Sequence, residues 1–443
     1  MFHAASDGLE VRLATGRPIS GYIGFDPSGP WLHIGHLIPI FGLLHLQRHG
    51  GVPVALMGGG TGMIGDPSGT SGERRLLDRE VLEANVASMR GQLERLLDFS
   101  GSQGARLVNN LDWLGEMRLI DFLRDVGKHF TIPYMIAKDS VQVRLERGLS
   151  FAEFSYMLIQ ATDFAHLHRT MGVELQMGGA DQWGNITAGL ELIRRTAAGG
   201  EGETAAGARA GAGAPDGAPG RDRADEPSAA RDPGAGPAFA LAYPLLLAPS
   251  GTKFGKSESG DSIWLHPEGT TPFAFYQYWL NLDDRDVPTY LRWFTTFGTD
   301  EIAALEADLA SMPELRAAQR ALADDITKRV HGADAAREAA EISGAAFGSG
   351  PIEDPRVLAA LHAATDGFDF GDADADAGLI PFLVSSGIFA SNGEARRMIA
   401  SGGLSLNNAR VTTADAPVPP PIAGEWLVVR VGKRKLRIGR RVG

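Results

Sequence analysis

Two pairs of basic side chains lie far apart in the 443-residue chain, and both are suited to one polyanion. The first is His33 and His36, in the stretch 21–36, G-Y-I-G-F-D-P-S-G-P-W-L-H-I-G-H. The second is Lys253 and Lys256, in the stretch 249–260, P-S-G-T-K-F-G-K-S-E-S-G. Three-residue spacing puts the histidines on one face of a helix. At a helix start they lie beside unpaired N–H groups and the positive end of the dipole, a place that attracts phosphate. Gly35 between them lets a flat ring or a phosphate approach the backbone. The lysines sit among small residues, in a loop able to close over a polyphosphate and neutralise charge as it shifts to a leaving group. Histidines at this spacing also suit zinc, but the chain has no Cys, no H-E-x-x-H pattern and no third ligand nearby. A lysine pair in a loop is otherwise ordinary solvated surface.

These side chains need elements to hold them. Residues 19–25 form an apolar run, Asp26-Pro27-Ser28-Gly29-Pro30 turns the chain, and an apolar segment of helical length follows, which reads as strand, loop, helix. Residues 52–57 read as a second buried strand ending in Gly58-Gly59-Gly60-Thr61-Gly62. In a parallel sheet such loops lie at the carboxyl ends of strands, where ligands bind. Asp66-Pro67-Ser68-Gly69 with Arg74-Arg75 makes a polar loop, either suited to a triphosphate or simply solvated. Helical patterns over 78–97 and 117–126 flank a strand at 106–109, an alternation that predicts an α/β, Rossmann-like, doubly wound parallel sheet. Residues 151–168 form another helix, in which Tyr156, Gln160 and Asp163 make a polar stripe on an otherwise apolar rod. Buried polar groups need partners, so these either satisfy one another or face a ligand. A strand at 174–177 leads into Gly178-Gly179-Ala180-Asp181-Gln182, where Asp181 is placed to accept from ribose hydroxyls or to cap the next helix.

Composition divides the chain. Residues 1–247 form the Rossmann-like catalytic domain, interrupted at 197–237, where 28 of 41 residues are Ala, Gly or Pro. Such a stretch buries too little to offset its ordering entropy and is expected to be a disordered insertion. Residues 248–270 form the lysine loop and connector, 271–348 an aromatic-rich α-helical domain, and 349–378 an acidic linker. Residues 379–443 form a small α+β module with a helix over 394–400 and a hairpin turn within 402–408. Net charge is −12, yet residues 380–443 hold ten Lys/Arg against three acidic residues, a balance suited to RNA phosphates. An apolar fraction of 44% supplies sizeable cores. The lack of Cys excludes disulfides and thiolate chemistry and fits a reducing cytoplasm. There is no run of about eighteen apolar residues and no signal-like leader, so neither export nor membrane insertion is expected.

On these residues the chain resembles the bacterial tyrosyl-tRNA synthetases, a family of class I aminoacyl-tRNA synthetases, over nearly all its length except the insertion and the acidic linker. Residues 27–36 match the family's HIGH motif and Lys253-Phe254-Gly255-Lys256-Ser257 its KMSKS motif. Residues 178–185 and 154–160 resemble this member rather than the class at large. The resemblance implies a tyrosine–tRNA ligase that activates L-tyrosine with ATP and Mg²⁺ to tyrosyl-adenylate, then transfers it to the 3′ end of tRNA(Tyr). It implies that His33, His36, Lys253 and Lys256 act on the ATP phosphates, with Asp26, Gly35, Gly179 and Asp181 also binding the nucleotide. Tyr22 and Asp163 would read the phenolic hydroxyl, Tyr156, Gln160 and Asp66 the ammonium, and Gln182 the reacting carboxylate. Mg²⁺ would ride on phosphate oxygens, with no dedicated protein metal site. A homodimer, a cytoplasmic location and a C-terminal ribosomal-protein-S-four-like RNA-binding domain are implied too, the last contacting RNA through Arg396, Arg397, Lys433, Arg434 and Lys435. The chain departs from the family at Thr162, where relatives often have Tyr, and at Ala180, in place of a common Ser. Three rivals are a tryptophanyl enzyme, a small-molecule nucleotidyltransferase and a non-catalytic RNA binder, and amino-acid-dependent exchange of ATP with pyrophosphate separates them.

Overall fold

The computed structural model describes residues 2–66, 77–138, 141–142, 148–207, 236–245, 262–347, 350–364, 367–432 and 435–442. They pack as two units, Met1–Ser262 with Arg292–Thr296, and Ile263–Leu291 with Phe297–Gly443.

In the first unit the elements follow as β1 (Ala4–Ala5), α1 (Leu9–Ala14), β2 (Ser20–Phe25), α2 (Leu37–Arg48), β3 (Val52–Met57), α3 (Arg79–Leu93) and β4 (Arg106–Asn109). Then come α4 (Leu111–Leu114), α5 (Leu119–Asp125), α6 (Ile132–Ile136), α7 (Phe151–Met171), β5 (Leu175–Gly179), α8 (Trp183–Gly207) and β6 (Phe239–Tyr243). The sheet order is β1-β6-β5-β2-β3-β4, parallel throughout except for β1, which runs against β6. From β2 the chain winds outward through β3 and β4, then returns to the other flank for β5 and β6. The order therefore reverses between β2 and β5, the switch point at which doubly wound sheets bind ligands.

Side chains explain the layers. Val54, Ala55, Leu56 and Met57 are all buried, as strands covered on both faces must be. Tyr22, Val54 and Leu56 pack with Phe164 and Leu167 of α7 on one side. On the sequence side, α7 begins with a reciprocal cap between Ser150 and Glu153 and ends at Gly172, whose φ of 65° suits glycine. Helix α2 touches β2 and β3, and a Cβ on its Gly42 would overlap the Tyr243 hydroxyl of β6. The amino-terminal arm is anchored by Arg12, which is 8% exposed and donates to Glu174 and to the carbonyls of Arg17 and Pro18. Helix α8 continues through Gly207, into the stretch whose composition suggested disorder, because alanine propagates a helix already begun. The rest of that insertion, 208–235, lies outside the described residues.

The second unit opens with α9 (Pro272–Leu280), the start of α10 (Val287–Phe294), α11 (Thr299–Ser311), α12 (Ala317–His331) and α13 (Ala333–Phe347). Phe275, Trp279 and Tyr290 are buried and meet edge to face. The chain rejoins the first unit at Arg292–Thr296, where Phe294 packs on Phe41 and Arg48 donates to the Thr296 carbonyl.

Next come α14 (Pro355–Ala364), β7 (Phe368–Phe370), α15 (Asp372–Asp376), α16 (Leu379–Ser385), α17 (Asn392–Ala400), β8 (Leu404–Leu406), β9 (Ala409–Arg410), β10 (Trp426–Val431) and β11 (Lys435–Arg441). Strand order is β7-β11-β10-β8-β9. Asn407 and Asn408, both at positive φ, turn β8 into β9 as a two-residue hairpin requires.

The acidic stretch 349–378 is not a linker throughout, which corrects the sequence reading. Phe368 and Phe370 point inward from β7 to pack with Phe382, and β7 pairs in parallel with β11. Asp374 accepts from the Gly371 N–H at the start of α15. The acidic side chains there cap and face solvent while the alternating aromatics build the core.

Candidate active site

Three turns meet at the carboxyl ends of the parallel strands: Asp26 after β2, the glycine loop through Thr61 after β3, and Asn110 after β4. Asn110 is fully buried, accepts from the Gly60 N–H at 2.7 Å, and donates to Thr61 Oγ1 at 3.1 Å and Asp163 Oδ2 at 2.9 Å. Thr61 donates to Asp26 Oδ1 and Tyr156 to Asp26 Oδ2, each at 2.9 Å. Trp113 Nε1 donates to Asp163 Oδ1 at 2.8 Å. A chain of polar contacts thus runs from Tyr156 through Asp26, Thr61 and Asn110 to Asp163 and Trp113, tying α7 to three strand ends. A Cβ on Gly58 would overlap Asp26 Oδ1 and Thr61 Oγ1, so this turn needs glycine for space.

Burial sets the electrostatics. Asp163 is 2% exposed, and burial pushes its carboxyl up to about 7, against the opposing effect of its two donors. Burial first, and Asp163 next, hold the Tyr22 phenol well above its ordinary value, so it stays protonated. Burial and then Asp26 do the same to Tyr156. The Tyr22 hydroxyl, Gln160 Oε1 and Gln176 Oε1 are buried without a hydrogen-bond partner. Gln176 pairs in register with Tyr22 on the neighbouring strand. Leaving such groups unpaired costs about 1–3 kcal/mol each, so their concentration here marks a place made for a polar ligand.

The stripe on α7 therefore combines both readings that the sequence left open. Tyr156 and Asp163 are satisfied by other side chains, whereas Gln160 keeps a free acceptor.

The histidines are held differently from the expectation. His33 is extended and caps a single 3-10 turn, Ile34–His36, ahead of α2. Its Nδ1 accepts from the Gly35 N–H at 3.0 Å, while His36 Nδ1 accepts from the His33 N–H at 3.1 Å. The two rings lie 4.0 Å apart. The His33 ring also fills the space that a Cβ on Gly35 would take. Because each Nδ1 is an acceptor, a neutral ring carries its proton on Nε2. Burial, and next the repulsion of His33, pushes His36 down to about 3, so it is a neutral N–H donor at physiological pH. Among the described residues no group of three His, Cys, Asp or Glu is arranged to hold a metal ion.

Across the switch point, Gln182 Nε2 donates to Asp66 Oδ2 at 2.7 Å and its Oε1 accepts from Asn185. Asp181 is exposed in the 3-10 turn after β5, and its carboxylate lies where a Cβ on Gly179 would reach. Lys253, Lys256, Lys433 and Arg434 lie outside the described residues, as do Arg74 and Arg75. Arg396 and Arg397 are exposed on α17 and Lys435 on β11. Nearby basic residues are partly neutralised, Arg440 by Glu425 and Arg441 by Asp372.

Sequence reasoning missed Thr61, Asn110, Trp113 and Gln176. The signal available for the first two was their position at strand ends, the same signal that singled out Asp181.

Residues 14–348 match the family model "tRNA synthetases class I (W and Y)", and residues 364–438 match "Tyrosine--tRNA ligase SYY-like C-terminal domain". The chain is 46% identical over 439 residues to a tyrosine–tRNA ligase of Anaeromyxobacter dehalogenans, covering 98% of this chain and 95% of the relative. It is 45% identical to that of Geobacillus kaustophilus, covering 97% and 94%. Among solved structures, a C-terminally truncated mitochondrial tyrosyl-tRNA synthetase of Aspergillus nidulans superposes with a TM-score of 0.63 at 28% identity, covering 78% of this chain and 91% of that one.

Proposed function

The chain belongs to the tyrosine–tRNA ligases, a family of class I tRNA synthetases, and on that premise we propose that tyrosine and ATP react in the crevice between β2 and β5. The activity has two steps. A carboxylate oxygen of tyrosine attacks the α-phosphorus of ATP, the bond to the bridging oxygen of the β-phosphate breaks, and pyrophosphate leaves tyrosyl-adenylate behind. A hydroxyl of the terminal adenosine of tRNA(Tyr) then attacks the carbonyl carbon, and AMP departs. Both are displacements in which the protein supplies position and electrostatics rather than a nucleophile.

In this reading Asp163 accepts from the substrate's phenolic hydroxyl and Tyr22 hydrogen-bonds to it. The observation that carries it is the buried Asp163 carboxylate, fixed by two N–H donors and accompanied by the unpartnered Tyr22 hydroxyl. Phenylalanine would leave these groups unpaired, and tyrosyl enzymes are the standard example of such rejection. Tyr156, Gln160 and Asp66 take the ammonium and Gln182 lies by the carboxylate, a reading supported by the bond between Gln182 and Asp66. His33 and His36 offer Nε2–H groups to the phosphates, Asp181 takes the ribose, and Asp26, Gly35 and Gly179 border the nucleotide. Lys253 and Lys256 hold the pyrophosphate end, and Mg²⁺ arrives on the phosphate oxygens of ATP. Residues 1–247 supply this chemistry, with the lysine loop at 248–270, and 271–348 serve tRNA binding. The module toward the C-terminus adds Arg396, Arg397, Lys433, Arg434 and Lys435 for RNA phosphates.

We assign the protein to the cytoplasm, and no described helix is long and apolar enough to cross a membrane. We also propose a homodimer. Leu119 and Phe151, exposed by 68% and 77%, line an apolar cavity of about 670 Å³ together with Phe122, Phe154 and Leu158. An apolar face of this kind suits a second copy. Sedimentation of Phe151→Asp is expected to give a monomer.

The test of the activity is exchange of ATP with pyrophosphate, measured with each amino acid in turn. Tyrosine alone is expected to support it, and Asp163→Ala to abolish it with the fold intact by circular dichroism. Near-normal tyrosine activation by that variant would overturn the pocket assignment.

A further inference from the structure

His166 lies one turn beyond Asp163 on α7 and has no place in the assignments above. Its imidazole stacks on the indole of Trp113, with centroids 4.4 Å apart and planes 12° from parallel. That same indole donates its Nε1–H to Asp163 Oδ1 at 2.8 Å. Trp113 is thus fixed at its edge by the carboxylate and on its face by the histidine. Helix α4, which carries it, is a single turn with no side-chain cap, too short to fix a side chain by itself. The imidazole is half-buried, and burial, aided by Arg169, lowers its pKa, so the stack is between two neutral flat rings at physiological pH.

We infer that His166 is a positioning residue for tyrosine recognition: by stacking on Trp113 it holds the indole N–H on Asp163 and so fixes the carboxylate that reads the substrate's hydroxyl. This rests on the reading of Asp163 given above. In this reading its loss acts through Trp113, on which it stacks. Without the stack the indole gains freedom, Asp163 keeps Asn110 as its one firm donor, and the carboxylate no longer meets the phenol at a fixed angle.

The test is tyrosine- and phenylalanine-dependent exchange of ATP with pyrophosphate on the full chain. His166→Ala is expected to raise the KM for tyrosine roughly three- to tenfold, what an aromatic stack is worth. The preference for tyrosine over phenylalanine should fall by a similar factor while the KM for ATP stays within about twofold. His166→Phe keeps a flat ring and is expected to restore both values, a rescue that also answers any loss of stability in the alanine variant. Trp113→Phe keeps the ring but removes the N–H, so adding His166→Ala to it is expected to change the KM for tyrosine no further. The inference falls if His166→Ala leaves the KM for tyrosine unchanged, raises both KM values alike, or acts additively with Trp113→Phe. Asp163→Asn separates the two levels. If it raises the KM for tyrosine while His166→Ala does nothing, only the role of His166 is refuted. If Asp163→Asn itself has no effect, the reading of the pocket is what fails.

Discussion

Replacing Asp163 by asparagine tests the electrostatics of the pocket without substrate. The carboxyl passes from its ordinary value of 3.8 in the unfolded chain to about 7 in the fold, chiefly through burial. That difference makes the ionised group a liability of up to about 4 kcal/mol to the native state. The sign follows from proton counting. Between pH 3.8 and about 7 the native chain binds more protons at this site than the unfolded chain, so stability falls as pH rises. The penalty grows from roughly 1–2 kcal/mol near pH 5 to about 4 kcal/mol near pH 9, a change of roughly 2–3 kcal/mol. Asparagine has no such titration, but it presents an NH₂ group toward either Asn110 Nδ2 or Trp113 Nε1, a mispairing that costs about 1–3 kcal/mol at any pH. The informative quantity is therefore the slope, not the offset. Urea unfolding of both proteins between about pH 5 and about pH 9 should show the difference moving in the variant's favour by roughly 2–3 kcal/mol. Groups that titrate in both proteins cancel. Parallel stability curves would refute the claim that Asp163 is ionised against its burial.

In the proposed pocket the same group receives the substrate: if the phenolic hydroxyl donates to ionised Asp163, kcat/KM for tyrosine should rise about tenfold per pH unit below about pH 7 and level off above it, and a flat profile would contradict the assignment. Arg12→Ala strands Glu174 and the carbonyls of Arg17 and Pro18; a loss of roughly 2–4 kcal/mol in urea unfolding, with KM values unchanged, is expected. Gly58→Ala drives a methyl group into Asp26 and Thr61, and should lower kcat/KM for tyrosine roughly tenfold or more, about 1.4 kcal/mol, where wild-type kinetics would show that the polar chain is not needed.

How much of this was legible in the sequence depended on range. Strands β2, β3 and β4 and the glycine loop that ends β3 follow from short-range pattern, and so does α7, because apolar periodicity and glycine act within a few residues. The pocket does not. Asn110 reaches Thr61 and Asp163 across 49 and 53 positions of chain, and Trp113 reaches Asp163 across 50, so no local window contains the network. The stripe of Tyr156, Gln160 and Asp163 could be seen but not resolved, since its partners come from three other elements. Residues 349–378 misled for a related reason. Their acidic composition dominates any window, whereas β7 is three residues long and finds its partner β11 about seventy residues later.

The two ends of the site divide the work in a way that the charges alone conceal. At the proposed phenol end a single carboxylate is buried and held by two donors, so recognition in this reading is geometric and depends on a rigid frame of strand ends and α7. At the nucleotide end His33 and His36 were read as basic, but their Nδ1 atoms are committed to backbone N–H groups and His36 is neutral far above its lowered value of about 3. A neutral imidazole offers a phosphate a hydrogen bond and no net charge. The positive charge needed as pyrophosphate leaves must then come from elsewhere, and in our proposal Mg²⁺ and the lysines at 253 and 256 bring it. In our proposal the histidine turn positions the phosphates, and the cations offset the charge that develops as the bond to pyrophosphate breaks.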